Sequence, residues 1–126
     1  MPEHHSNFGD LVGLRGYEVE DGNVVVPLHV DDRHLNSMGL VHGGMIATLA
    51  DNSMGIACFL SVGKPLVTVE FKLSFLRPVR KGGLRAKSRV NKIGEHLLFV
   101  GCQIDDDSGF LVAEALGTYM TVNNVP

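Results

Sequence analysis

A chain of 126 residues, 44% hydrophobic and 20% charged, has room for one sizeable core and reads as a single domain over residues 1–126. Its net charge of -3 argues against broad nucleic-acid binding, which needs a clear basic excess. No uninterrupted apolar run long enough for a membrane span stands out, since Asp51, Asn52, Ser53 and Gly55 break up the segment from Met45 to Val62.

The opening residues MPEHHSNFGD lack the basic start and apolar core of a secretory signal, and the chain is expected to be cytoplasmic. His4 and His5 belong to a flexible terminal segment in this reading, and a short helix is expected near Asn7 to Val12. The stretch LRGYEVEDGNVVVPLHV carries two β-rich runs around Asp21-Gly22-Asn23, a hairpin signal. A long helix is expected from Val41 to Leu60, with Met45, Leu49, Met54, Ala57 and Cys58 among its apolar positions. It looks apolar nearly all round, as for a helix enclosed by other structure.

Next, LVTVEFKLSFL alternates. Val67, Val69, Phe71, Leu73 and Phe75 share one face, and Thr68, Glu70, Lys72 and Ser74 the other. LRAKSRV, HLLFVGCQI and FLVAEALGTYMTV complete the strands, the last two joined by DDDSG, a turn at Asp105 to Gly109. Short turns imply antiparallel pairing. The sum is α+β: about six antiparallel strands and one buried helix. Cys58 and Cys102 lack CxxC or Cys/His ligand spacing and read as buried free thiols in a reducing compartment. No metal site is expected.

The chemistry concentrates in HLNSMGLVHGGMIATLADNSMGIACF. The first N–H groups of a helix have no internal partners and carry the positive end of its dipole. Gly43 and Gly44 would leave them open, so that a carbonyl oxygen could dock there and its developing oxyanion be held. Asn36 offers a neutral amide for the same oxygen, and His42 is either a cap or a catalytic group. Asp51 lies among Ala, Leu and Met, where a carboxylate needs partners or a function. Gly43 and Asp51 are eight residues apart, about 12 Å along a helix. A base and an oxyanion donor must both reach one reacting centre, within about 3 Å. If both act, each site must combine Gly43 of one subunit with Asp51 of another, across a two-fold axis.

Asn36, Gly39, His42-Gly43-Gly44 and Asp51, followed by PLVTVEFKLSFLRPV and GFLVAEALGTYMTV, resemble the hotdog-fold acyl-CoA thioesterases of the phenylacetate-degradation type. The likeness runs from about Leu11 to Val122. It implies a curved antiparallel sheet wrapped around one long helix, in dimers that commonly pair into tetramers, with sites that straddle the dimer interface. It further implies that the Gly43 N–H meets the thioester oxygen, with Asn36 and His42 nearby. Asp51 of the partner subunit would be general base or nucleophile, and Thr68 would help hold the water. The substrate would be an aryl- or medium-chain acyl-CoA, with coenzyme A part of the substrate and no separate cofactor. Arg77, Arg80, Lys81 and Arg85 are the candidates for its phosphates, although each also suits a solvated turn or strand face. Met38, Met45, Met54 and Phe59 could line the acyl pocket or belong to the core. A hydratase or dehydratase acting on acyl thioesters, and a non-catalytic acyl-CoA-binding module, are the alternatives.

Overall fold

The computed structural model describes residues 6–123, so the reading of His4 and His5 lies outside the described residues. Helix α1 spans Asn7–Val12, as the sequence predicts, with Ser6 capping it through a hydrogen bond from the Gly9 N–H. The first hairpin joins β1, Glu18–Glu20, to β2, Asn23–Val30. Glu20 pairs with Asn23, and the two turn residues Asp21 and Gly22 both have positive φ, 49° and 79°. This turn has the twist that suits the two strands, and glycine at its second position takes that φ without strain.

A single 3-10 turn, Asp32–His34, leads to the helix α2, Gly43–Val62, two residues later at each end than the sequence suggests. After it come β3, Leu66–Phe75, β4, Gly82–Ile93, β5, Leu97–Asp106, and β6, Leu111–Thr121. The six strands form one sheet in the order β1-β2-β4-β5-β6-β3, with every neighbouring pair antiparallel. β3 therefore closes one end of the sheet with a free edge ten residues long. The turn before β6 is held by Asp106, whose carboxylate accepts from the Ser108 and Phe110 N–H groups.

α2 lies on one face of the sheet. Its Met45, Ile46, Leu49, Ala50, Ser53, Met54, Ile56, Ala57 and Cys58 are buried, spaced three and four apart as a helix face requires. They meet Val26, Leu28, Leu84, Ala86, Leu98, Val100, Cys102 and Ile104 from the sheet. Met45 and Met54 are thus core, Met38 is exposed in the loop before α2, and Phe59 borders the cleft on which Asp51 opens. Ser53 is the polar member of the buried face, and its hydroxyl is bonded to Ser88 Oγ and the Ala86 carbonyl. Cys58 and Cys102 are free and buried, and burial pushes both thiols up to about 11.

The helix is not enclosed all round. Gly44, Thr48, Asp51, Asn52, Gly55 and Phe59 form a stripe that the sheet covers only in part. The apolar residues around them conceal that stripe in the sequence.

A second departure lies in β3. From Glu70 onward the expected alternation holds, with Phe71, Leu73 and Phe75 opposite Gly117, Ala115 and Ala113 of β6. Between Thr68 and Glu70 the register shifts by one residue, a β-bulge at Val69. Thr68 consequently pairs with Tyr119 and shares its face, toward the helix. Val67 and Val69 are 46% and 50% exposed. The bulge reverses the face assignment of residues 66–68, and so aims Thr68 at the helix.

Candidate active site

The free amides at the start of α2 are fewer than its two glycines suggest. His42 is the N-cap, and its Nδ1 accepts the Gly44 N–H at 2.9 Å. The His42 carbonyl takes the N–H groups of Met45 and Ile46. Among the described residues the Gly43 N–H has no partner, so it is the amide left to bind something else. A Cβ on Gly43 would stand 3.4 Å from the Phe75 ring, which borders the approach to that amide.

Asn36 is set beside it by an Asx turn. Its Oδ1 accepts the N–H groups of Met38, at 2.9 Å, and Leu40, at 3.1 Å. Two donors on one atom identify that atom as the oxygen, so Nδ2 is left as an outward donor. Asn36, Gly43, Phe75 and Arg77 line a cleft of about 330 Å³. The buried His34 supports this loop from behind, taking the Asp31 N–H on Nδ1 and donating through Nε2 to the Val12 carbonyl. That arrangement requires the neutral ring with its proton on Nε2.

Asp51 opens on a different cleft, of about 580 Å³, lined by Tyr17, Gly55, Phe59, Leu66, Thr68 and Tyr119 among others. The two clefts have no lining residue in common. Asp51 Oδ1 accepts hydrogen bonds from Thr68 Oγ1 at 2.8 Å and from the Tyr119 hydroxyl at 2.6 Å. Tyr119 is 1% exposed. Burial, and then the hydrogen bond to Asp51, push its hydroxyl well above the usual tyrosine range, so it stays protonated as a donor.

Tyr119 is the site residue the sequence reading lacks. Its signal is present in GTYMTV: it falls on the inward phase of β6 with Ala113, Ala115 and Gly117. A tyrosine buried there needs a partner for its hydroxyl. Gly117 makes room for the ring, since a Cβ there would lie 3.1 Å from Tyr119 Cε1 and 3.2 Å from Met54 Sδ.

The basic candidates separate. Arg77 borders the Gly43 cleft, with its guanidinium 4.1 Å over the Phe110 ring. Arg80 reaches the Met38 carbonyl at 3.5 Å, close to the Asn36 loop, and Lys81 is exposed beside it. Arg85 is elsewhere: it is paired with Glu20 at 2.6 Å, and its neighbours Leu84 and Ala86 are the ones that face the core. Among the described residues no group of His, Cys, Asp and Glu is arranged to hold a metal.

The family model described as the thioesterase superfamily matches residues 38–113, which include Gly43, Asp51 and Thr68. The chain belongs to the thioesterase superfamily. Its six-stranded antiparallel sheet around one long helix is the hotdog fold, and this superfamily member is a thioester hydrolase. Human acyl-coenzyme A thioesterase 13 is 31% identical over 101 residues, 77% of this chain and 71% of that protein. A Pseudomonas aeruginosa protein provisionally named an esterase is 36% identical over 99 residues, 76% of this chain and 73% of its own. Among solved structures, a thioesterase-like, phenylacetic acid degradation-related protein from Ralstonia eutropha aligns with a TM-score of 0.84 at 28% identity, covering 94% of this thioesterase and 92% of that chain.

Proposed function

We propose that this thioester hydrolase acts on aryl- or medium-chain acyl-CoA, at sites that each combine Asp51 and Thr68 of one subunit with Gly43 and Asn36 of a partner. The observation that carries this reading is the separation of the open amide and the carboxylate into two clefts with no shared wall. The free edge of β3 supports it, because Thr68 lies near one end of that strand and Phe75, which borders the Gly43 cleft, at the other. Pairing two such edges antiparallel about a two-fold axis brings the Thr68 end of one beside the Phe75 end of the next. The partly covered stripe of α2 faces the same partner in that arrangement. A second pairing of dimers into tetramers is part of the same proposal.

In this scheme the Gly43 N–H and Asn36 Nδ2 hold the thioester oxygen as charge develops on it. By the general-base route Asp51 takes a proton from water, whose oxygen attacks the acyl carbon. The C–S bond then breaks, and the departing sulfur takes up the proton. By the nucleophilic route the Asp51 carboxylate attacks the acyl carbon, and the C–S bond breaks to give a mixed anhydride. Coenzyme A leaves as a thiolate that takes up a proton from solvent, and water then opens the anhydride to the free acid and the restored carboxylate. His42 positions the Gly43 amide through its cap. With Nδ1 committed to Gly44, it is poorly placed for the histidine-dependent chemistry of a hydratase. Arg77, Arg80 and Lys81 supply positive charge for the coenzyme A phosphates on the Gly43 side.

The test is release of free thiol from a panel of aryl and straight-chain acyl-CoA thioesters. Turnover is expected, with the ranking fixing the acyl class. Saturable binding without release from any of them would overturn the reading in favour of a binding module.

Gly55 adds a prediction about the acyl group. It stands one turn after Asp51 and lines the same cleft. Glycine inside a helix costs roughly 1 kcal/mol relative to alanine. The chain does not itself demand it, since an added Cβ would meet only Tyr119 Cε2, at an ordinary 3.8 Å. Gly55→Ala is therefore expected to keep or raise the melting temperature while raising KM for bulky acyl groups more than for small ones. Thermal melts and KM values across the panel check both halves.

A further inference from the structure

We infer that Tyr119 and Thr68 divide the Asp51 carboxylate into one held oxygen and one reacting oxygen, with Tyr119 as a positioning residue that leaves only Oδ2 for the chemistry. This rests on the reading of Asp51 given above and deepens it.

Both hydroxyl donors converge on the same atom, Oδ1, at 2.8 Å and 2.6 Å, and the Tyr119 hydroxyl also lies 3.2 Å from the Asp51 carbonyl oxygen. A carboxylate oxygen accepts about two such bonds, so Oδ1 is filled. Oδ2 takes no hydrogen bond among the described residues. Every buried side-chain oxygen and nitrogen there does have a partner, so Oδ2 is open to the cleft that Asp51 lines.

The two donors come from neighbouring, paired strands, Thr68 on β3 and Tyr119 on β6, whereas the carboxylate sits on the helix. The sheet therefore fixes the rotation of a side chain that the helix carries. The Thr68 hydroxyl has one proton, and it is committed to Asp51, so toward a water molecule this hydroxyl can only accept. Without the two donors, either carboxylate oxygen could turn to the cleft. The reacting lone pair would then lack a fixed direction, and a misplacement of about 1 Å costs on the order of 100-fold in rate.

The experiment compares wild type, Tyr119→Phe, Thr68→Val, the double variant and Asp51→Asn, using the intact oligomer and the best acyl-CoA of the panel. Each variant is first checked for oligomer size and for the affinity of free coenzyme A as a competitive inhibitor. Tyr119→Phe keeps the ring that packs on Gly117 and removes only the hydroxyl. It is expected to lower kcat about 10- to 100-fold with KM within about threefold of wild type, the pattern of an interaction that directs the reacting atom. Thr68→Val should behave alike, and the double variant should fall close to Asp51→Asn. A Tyr119→Phe enzyme with wild-type kcat, or a loss confined to KM, would overturn the inference if Asp51→Asn is inactive. Full turnover by Asp51→Asn would instead remove the reading of Asp51 on which it stands.

Discussion

Asp51→Asn is expected to lower thioester hydrolysis by about 10²- to 10⁴-fold, the range spanned by loss of a positioned acid or base. The substitution is nearly isosteric. The amide oxygen can accept from Thr68 and Tyr119 as Oδ1 does now, which presents Nδ2 to the cleft in place of Oδ2. That group neither takes a proton from water nor attacks a carbonyl. Folding should change little, because the carboxylate is half-buried and both of its donors keep an acceptor. Thiol release measured beside urea denaturation separates the two effects. A variant retaining more than about a tenth of the wild-type rate would take Asp51 out of the mechanism.

The second large effect is a gain of activity on mixing two inactive proteins. Gly43→Val covers the free amide, because its side chain extends from a point already 3.4 Å from the Phe75 ring into the approach. Alone, it should be as inactive as Asp51→Asn. Co-expressed in equal amounts, the two should regain about a quarter of wild-type activity, because subunits assembling at random supply an intact Gly43 and an intact Asp51 to the same site one time in four. Were both residues to act within one subunit, no mixed oligomer would contain an intact site and the mixture would stay inactive. The rate of the mixture thus reports directly on whether the site is shared.

The elements of this fold were legible because their signals are local. Periods of two and of about 3.6, an Asp-Gly turn and a single glycine-opened helix suffice to specify six antiparallel strands and α2. The strand order and the bulge are not local. Nothing in LVTVEFKLSFL marks Val69 as extra, because the run alternates cleanly by composition; only its partner β6 reveals the shift. Thr68 stands out through its likeness to relatives, whereas alternation alone places it on the outer face. His42 carries two possible roles in the sequence, and the structure shows it as the cap, with Nδ1 accepting the Gly44 N–H. Tyr119 does not stand out in the sequence, because an aromatic residue in a strand is ordinarily core. Its hydroxyl matters only once the carboxylate is known to lie opposite. By sequence Arg85 belongs to one basic cluster with Arg77 and Arg80, yet strand alternation carries it to the outer face beside Glu20.

The bulge in β3 has a consequence for how the chain finds this structure. In a regular strand Val67 and Val69 would turn inward with Phe71, and burying the exposed half of each valine would favour that arrangement by roughly 1 kcal/mol each. The native strand instead leaves both about half exposed and turns Thr68 inward. Hydrophobicity alone therefore favours a competing register. The native one is held by its pairs on either side, Thr68 with Tyr119 and Glu70 with Thr118, and by the two hydrogen bonds to Asp51. Such a conflict between local pattern and final structure is frustration in the sense of folding landscapes, and it is expected where function overrides packing. Here it arises from one extra residue, Val69, which adjoins Thr68, the carboxylate's own hydrogen-bond donor.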